Sequence, residues 1–246
     1  MLELKNLSFA VEEDGSGKQI LEGITLTVPD DRFIAVTGPN GSGKSTLARL
    51  IAGIEKPIGG QIIFNGRDIT DLSVTERALS GISFAFQQPV RFKGIRVIDL
   101  LRIASHNPGL SIQEACDALS EVGLCAREYV NREINASLSG GELKRIEIAS
   151  VMVRNALLTI FDEPEAGIDL WSFRNLIEVF QRLRKKTKGT VLVISHQERI
   201  LNIADEIAVI DGGRITMHGP KDEILPKLLR SGSASSACIK AEGRAQ

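Results

Sequence analysis

Cysteine is scarce in this chain of 246 residues. The three cysteines are Cys116, Cys125 and Cys238, and no two of them form a C-x-x-C pair. The sequence therefore predicts neither a disulfide framework nor a cysteine-based metal site. An excess of one charge is also missing, because Lys plus Arg total 30 and Asp plus Glu total 31. This balance argues against a dedicated nucleic-acid binder, so we expect no nucleic-acid partner.

Long apolar runs are missing as well. No segment approaches the roughly 18 apolar residues that a transmembrane helix needs, and the longest runs, such as Val191–Ile194, have the length of a strand. The first residues alternate between apolar and polar, without the basic and apolar regions of a signal peptide. We therefore expect a cytoplasmic protein that does not itself insert into a membrane.

Short apolar segments alternate with helical patterns along most of the chain. The central segments are continuous apolar runs, which predicts an α/β fold with a parallel sheet buried on both faces. The first segments alternate more and predict an antiparallel β layer ahead of that core. Residues from about 97 to 156 carry helical patterns without a strong strand signal, and we expect them to form an inserted helical lobe.

The predicted elements follow from these patterns. The strands are Leu2–Leu7, Ile24–Val28, Phe33–Thr37, Ile62–Phe64, Ile82–Phe86, Leu157–Phe161, Val191–Ile194, Glu206–Ile210 and Arg214–His218. The helices are Ser45–Ala52, Val97–Ala104, Ile112–Val122, Gly141–Val153, Ser172–Arg184 and Arg199–Ala204. We expect residues 1–230 to form a single domain. Residues 231–246 are rich in Ser, Gly and Ala and predict a flexible tail.

Residues 38–45 fit the phosphate-binding pattern G-x-x-x-x-G-K-[ST] between a predicted strand and a predicted helix. Glycines let backbone N–H groups converge on phosphate oxygens, and the helix start adds the positive end of its dipole. In this motif the lysine reaches the β- and γ-phosphates, and the following hydroxyl ligates Mg²⁺. The candidate binding residues are Gly38, Pro39, Asn40, Gly41, Ser42, Gly43, Lys44, Ser45 and Thr46.

A buried strand delivers two carboxylates to the same region. Four of the five residues before Asp162 are large and apolar, so this acid is expected at the sheet edge where phosphates bind, as a ligand of the metal. Glu163 follows directly, and packing explains a second acid there poorly. It suits a general base that activates or orients the attacking water.

The segment Leu138–Glu142 gives a second candidate anion-binding helix start, with small side chains, a hydroxyl and open N–H groups. Two copies arranged head to tail would bring this segment of each chain onto the nucleotide of the other. The alternative is an ordinary helix start, in which Ser139 and Glu142 form a capping box.

With these motifs in this order, the sequence resembles the ABC ATPase family across nearly the whole chain. Gly38–Ser45 is similar to its Walker A motif, Leu157–Asp162 to its Walker B motif and Glu163 to its catalytic glutamate. The resemblance implies a P-loop NTPase fold with a RecA-like parallel core. It also implies Mg²⁺-dependent ATP hydrolysis, with ATP and Mg²⁺ bound between two copies of the chain. The residues similar to the family's signature motif are Ser139, Gly140, Gly141 and Glu142.

Four further positions follow from the resemblance. Gln87 matches the glutamine that senses Mg²⁺ and the γ-phosphate, and His196 matches the switch histidine that contacts that phosphate. Asp169 lies in a segment similar to the D-loop. Where the family carries an aromatic residue that stacks on adenine, this chain has Val11, so we expect weaker stacking unless Phe9 takes that place.

Four stretches narrow the resemblance to the SUF-system ABC ATPase of iron–sulfur cluster assembly, the SufC family. The resemblance implies a soluble β-helical scaffold partner of the SufB/SufD type, which would hold the iron and sulfide. The stretches are residues 84–90 followed by Gly94 and Ile95, then 139–145, 165–170 and 196–201. The proline in Asp162-Glu163-Pro164 is instead typical of transporters. The alternative is therefore the ATP-binding subunit of an ABC transporter, with a separate transmembrane partner.

Overall fold

The computed structural model describes residues 1–13, 16–88, 92, 94–135, 137–167, 170–186 and 189–230, so the predicted tail at 231–246 lies outside the described residues. The strands are β1 (Leu2–Glu13), β2 (Ser16–Val28), β3 (Phe33–Thr37), β4 (Gly59–Phe64), β5 (Arg67–Asp68), β6 (Ile82–Ala85), β7 (Leu158–Asp162), β8 (Thr190–Ile194), β9 (Glu206–Asp211) and β10 (Arg214–Pro220). The helices are α1 (Lys44–Ala52), α2 (Val74–Leu79), α3 (Val97–Ala104), α4 (Ile112–Glu121), α5 (Ala126–Tyr129), α6 (Gly140–Arg154), α7 (Leu170–Lys186) and α8 (Glu198–Ile203).

A six-stranded sheet in the order β10-β9-β3-β8-β7-β6 forms the centre of the molecule. Its strands run parallel except for β10, which pairs antiparallel with β9. Along β3, Phe33 and Ala35 join the core shared with the helical lobe, whereas Ile34 and Val36 join the core under β1 and β2. Both faces are therefore covered, which explains the continuous apolar runs and confirms the predicted α/β fold.

The antiparallel layer has the strand order β2-β1-β4-β5 and covers one face of the central sheet. Its first hairpin is longer than predicted, because β1 continues beyond Leu7 and β2 begins before Ile24. The added tip is exposed at Val11 and Lys18, so no apolar alternation marks it in the sequence. The main chain of the two strands still pairs there, which is what extends the hairpin.

The predicted helical lobe is present as α3, α4, α5 and α6, which lie between β6 and β7 in the chain. Helix α6 packs against both α3 and α4. The sequence prediction lacks α2, because Arg77 is its only buried residue and the helix shows no apolar face. Its capping box, formed by Ser73 and Glu76, is the signal that could have revealed it.

Within the described residues, every helix is too short or too polar to span a bilayer.

Candidate functional site

The turn from β3 into α1 requires glycine at two positions. Gly38 has a φ of 142°, and a Cβ there would lie 1.9 Å from the carbonyl oxygen of Ile210. Gly43 has a φ of 99°, and its Cβ would lie 2.4 Å from Leu21 Cδ2. Gly43 is also the N-cap of α1 and carries no side chain that could bond the first N–H groups of the helix. These groups and the positive end of the helix dipole favour an anion.

Lys44 and Ser42 add polar groups to this turn. The buried Lys44 Nζ donates to the carbonyl oxygens of Gly38 and Pro39 at 2.9 and 2.8 Å. Burial lowers the pKa of Lys44, and the neighbouring carboxylates oppose that shift. The Ser42 hydroxyl is buried without a hydrogen-bond partner in the described part of the chain. A cation and an unpaired hydroxyl beside open N–H groups suit a phosphate.

Ser45 and Asp162 meet at the carboxyl end of β7. The Ser45 hydroxyl donates to Asp162 Oδ1 at 2.8 Å, and Asp162 is only 2% exposed. Burial raises the pKa of Asp162, the Ser45 bond opposes the rise, and the charge of Glu163 adds to it. A hydroxyl and a carboxylate oxygen are the ligands that Mg²⁺ takes when substrate phosphates complete its shell. The two residues therefore fit a magnesium ion bound together with a nucleotide.

Glu163 lies beside this pair in an unusual backbone conformation. Its φ is 43°, in the left-handed region that side chains other than glycine and asparagine rarely adopt. Its N–H donates to the carbonyl oxygen of Ile194 at 3.0 Å, which ties the ends of β7 and β8 together. Gln87 Nε2 donates to Glu163 Oε2 at 2.6 Å. One carboxylate oxygen of Glu163 is thereby held, and within the described part of the chain the other shows no hydrogen bond, so it can bind a water molecule.

An open cavity of about 570 Å³ is lined by nine of the predicted site residues. His196, which follows β8 and is exposed, lines it together with Gln87 and Glu163. Two lining residues, Lys18 and Ile20 of β2, were missed by the sequence reasoning. Their i, i+2 spacing on one face of a hairpin strand is the signal that could have found them. The phosphate-loop residues on the wall are Asn40, Gly41, Gly43, Lys44, Ser45 and Thr46.

Val11 and Phe9, the residues predicted to lie near adenine, are not among the described residues that line this cavity. Val11 is exposed and is not among the described residues that line this cavity, although its backbone pairs with that of Lys18. Phe9 is buried in the core under the antiparallel layer, so its ring cannot stack on a ligand. The apolar side chain that β2 adds to the wall is instead Ile20. Asp169, predicted in the D-loop, lies outside the described residues.

Ser139 and Glu142, at the start of α6, are not among the described residues that line this cavity. They form a complete capping box: Ser139 Oγ accepts from the Glu142 N–H at 3.3 Å, and Glu142 Oε2 accepts from the Ser139 N–H at 2.6 Å. Ser139 and Gly140 are exposed, and a Cβ on Gly140 would lie 4.0 Å from the carbonyl oxygen of Gly167. The capping alternative is therefore present in the structure, and the surface of this helix start is still accessible.

Glu142 has a further partner that an ordinary cap does not need. The Tyr129 hydroxyl donates to Glu142 Oε1, and Arg132 Nη1 lies 4.0 Å from the same oxygen. The Tyr129 bond, with the backbone and side chain of Ser139 and the charge of Arg132, lowers the pKa of Glu142 to about 2. The carboxylate is thus ionised near neutral pH and fixed between α5 and α6.

Comparisons with known proteins agree with this geometry. The sequence profile described as ABC transporter matches residues 21–166. An uncharacterized ABC transporter ATP-binding protein of Methanocaldococcus jannaschii is 41% identical over 215 residues, covering 84% of this chain and 85% of that protein. The iron–sulfur cluster assembly protein SufC of Plasmodium berghei is 34% identical over 234 residues, covering 89% of this chain and 63% of that protein.

The fold is also that of a solved dimeric ATP-binding cassette, determined in a post-hydrolysis state with ADP and phosphate. The TM-score is 0.80 at 22% sequence identity, over 90% of this chain and 99% of that one. The predicted resemblance is confirmed by these matches. Because the profile covers more than half of the sequence, the chain belongs to the ABC transporter family, as an ATP-binding cassette.

Proposed function

We propose that this chain binds ATP in the cavity beside α1 and hydrolyses it to ADP and phosphate with Mg²⁺. Gly38–Thr46 bind the phosphates through backbone N–H groups and the Lys44 ammonium. Ser45 and Asp162 hold the magnesium ion, which neutralises charge on the phosphates when it is bound. The 2.8 Å contact between Ser45 and Asp162 supports this assignment, since it presents both oxygens at one point.

The observation that carries the proposal is the hydrogen bond between Gln87 and Glu163 at the wall of the same cavity. It orients the Glu163 carboxylate, which accepts a proton from the attacking water. The Gln87 amide and the His196 imidazole lie on the same wall and contact the water and the γ-phosphate. These roles are supported by the position of the three side chains on the wall of one cavity and by the ability of each side chain to donate or accept a hydrogen bond or a proton.

A second copy of the chain completes each ATP site in this proposal. The start of α6 is exposed at Ser139 and Gly140 and, among the described residues, does not line the chain's own cavity. In this proposal its residues Ser139, Gly140, Gly141 and Glu142 contact the nucleotide of the partner copy. Asp169, in the segment similar to the D-loop, also contacts the nucleotide in this proposal. The solved cassette with ADP and phosphate is dimeric, which supports this arrangement.

Glu163→Gln tests the hydrolysis proposal. We expect phosphate release to fall about 10²- to 10⁴-fold, because a general base is removed, while equilibrium binding of ATP stays unchanged. Glu198→Gln, an exposed acid at the start of α8, is the matched control and keeps wild-type turnover. Wild-type turnover in Glu163→Gln contradicts the assignment of the base.

We further propose that ATP-driven pairing acts on a soluble SUF-type scaffold, of the SufB/SufD kind, in iron–sulfur cluster assembly, and that the chain works in the cytoplasm. The 34% identity to a protein named SufC supports this choice. An apolar groove gives such a partner a binding surface. Phe86 and Phe92 line it and are 42% and 37% exposed, and Leu143 and Ile146 of α6 form its floor.

The second candidate is the ATP-binding subunit of an ABC transporter, favoured by the 41% identical relative named in that way. Purification of the tagged chain from its own cells, with identification of stoichiometric partners, separates the two. A soluble β-helical partner supports the SUF role, and a protein with several membrane spans overturns it. Phe92→Ser should release either partner, whereas Ile103→Ser, an exposed apolar residue outside the groove, should retain it.

A further inference from the structure

The backbone of Phe86 lies just beyond the last residue of β6 that pairs with a neighbouring strand. Strand β6 is the last strand of the central sheet, and its pairing with β7 ends at Ala85 opposite Phe161. The N–H and C=O of Phe86 lie beyond that ladder. Polar backbone groups at such a position need other partners or water. The next residue is Gln87, which holds the Glu163 carboxylate.

Two side chains of α6 supply those partners. Glu147 Oε1 accepts from the Phe86 N–H at 3.0 Å. Lys144 Nζ donates to the carbonyl oxygen of Phe86 and lies 3.5 Å from that of Gln87. Lys144 and Glu147 also form an ion pair at 2.8 Å. The pair therefore bonds both backbone groups of one residue, as a neighbouring strand would do.

The Lys144–Glu147 pair is shielded from solvent. The Lys144 side chain is 1% exposed and that of Glu147 is 14% exposed. Burial raises the pKa of Glu147, and the charge of Lys144 and the Phe86 bond oppose that rise. An ammonium in this position must be paired, since an isolated buried charge is strongly unfavourable. The pair and the Phe86 backbone thus depend on each other.

We propose that Lys144 and Glu147 are positioning residues that fix the Phe86 backbone, and through it Gln87, against Glu163. Ser139 is the N-cap of the same helix, α6, so in this proposal a displacement of that helix start is transmitted to the hydrolysis site of the same chain. Neither residue lines the ATP cavity among the described residues, so both act through Gln87. The inference rests on the proposed hydrolysis at Glu163.

Three variants test this proposal in the full chain: Lys144→Met, Glu147→Met and the double variant. We expect kcat for ATP hydrolysis to fall about 10- to 100-fold in each, with the ATP dissociation constant unchanged within about twofold. The charge of Lys144 also lowers the pKa of Asp162, and the variant Glu147→Met keeps that charge. Glu147→Met therefore separates loss of positioning from a change in charge at the metal site.

Arg154→Met is the matched control on the same helix. Arg154 is also partly buried and donates to a backbone carbonyl, that of Ala78, at 2.8 Å, but it is remote from Phe86. We expect its kcat to match wild type even if its thermal midpoint falls. In the double Lys144→Met/Glu147→Met variant no buried charge is left unpaired, so folding stability should recover relative to the single variants while kcat stays low.

Hydrogen–deuterium exchange of the peptide that contains Phe86 and Gln87 gives a readout that does not depend on activity. We expect faster exchange in the three pair variants and unchanged exchange in Arg154→Met. Unchanged exchange, or faster exchange with wild-type kcat, overturns the proposal. So does a double variant whose kcat recovers together with its stability, because that result indicates a merely structural role. A wild-type chain that does not hydrolyse ATP overturns the proposed function instead, and exchange then decides the backbone contact alone.

Discussion

Helices α1 and α6 both have a small residue at the N-cap, but the two starts are built differently. The N-cap of α1 is Gly43, which offers no side-chain acceptor, and its first turn contains no acid. The N-cap of α6 is Ser139, and Glu142 in its first turn completes a capping box. The first start keeps its N–H groups for a ligand. The second satisfies part of its own N–H groups within the chain.

The start of α6 also differs from the capping boxes of α2 and α4. In α2 and α4, the hydroxyls of Ser73 and Ser111 donate to the glutamate three residues later, at 2.7 and 2.8 Å. Among the described residues, the Ser139 hydroxyl shows no such bond, and Glu142 instead accepts from Tyr129. The hydroxyl proton of Ser139 is therefore available to a phosphate. The difference teaches that one motif can serve as a cap and still offer a donor.

Gly43→Ala should disturb the anion-binding start of α1, and among the variants of these two helix starts it should have the largest effect. The new Cβ meets Leu21 Cδ2 at 2.4 Å and the carbonyl oxygen of Ile20 at 3.1 Å, and a φ of 99° is strained for alanine. We expect ATP to bind about 100-fold more weakly, as measured by titration calorimetry. Gly66→Ala is the control, since it has a φ of 77° with nothing within 4 Å and lies far from the cavity. Equal ATP binding by wild type and Gly43→Ala would contradict the role given to α1.

Ser139→Ala tests whether the Ser139 hydroxyl, besides capping α6, also donates a hydrogen bond to a phosphate. We expect ATP turnover to fall about tenfold, because a hydroxyl donor to a charged phosphate is lost. Ser73→Ala and Ser111→Ala remove caps of the same type and should each lose about 1 kcal/mol of folding stability, as Ser139→Ala does. Their turnover should remain that of wild type. If all three variants lose stability and none loses turnover, the α6 start has only a structural role.

The pH dependence of the α6 start gives the smallest effect. The pKa of Glu142 is lowered from 4.5 to about 2 in the folded chain, so the stabilisation is complete above pH 4.5. It is lost as pH falls from 4.5 towards 2. We expect wild type to exceed Glu142→Gln by about 1–2 kcal/mol in unfolding free energy near neutral pH, and this difference to shrink in that acid window. Chemical denaturation at each pH measures it, and a difference independent of pH would contradict the Tyr129 contact.

Much of the fold could be predicted because its central strands are buried on both faces. The bounds of Phe33–Thr37 are the same in prediction and structure, since a strand covered on both faces is apolar throughout. The tip of the first hairpin could not be predicted, because its residues are exposed and only their main chain pairs. Helix α2 was missed for a related reason, as it buries Arg77 alone.

Some residues of the candidate site could be predicted from the sequence and others could not. The phosphate loop and the pair Asp162 and Glu163 could be predicted, because binding phosphate and a metal ion requires these residue types next to the end of a strand. Ile20 was missed, because the predicted strand began only at Ile24, although the spacing of Lys18 and Ile20 on one face of β2 carries the signal. The pair of Lys144 and Glu147 was missed too. Spaced by three on a helix, such charges look in the sequence like an ordinary solvated face.

The left-handed backbone of Glu163 lowers the folding stability of the chain at the same residue that is proposed to support ATP turnover. Holding a glutamate at a φ of 43° costs about 1–2 kcal/mol, which is a sizeable fraction of the stability of a typical domain. Selection for folding stability alone would favour glycine or asparagine at this position, and neither side chain could accept a proton from water. Under the proposed function, hydrolysis therefore requires a side chain whose backbone conformation lowers the folding stability of the chain.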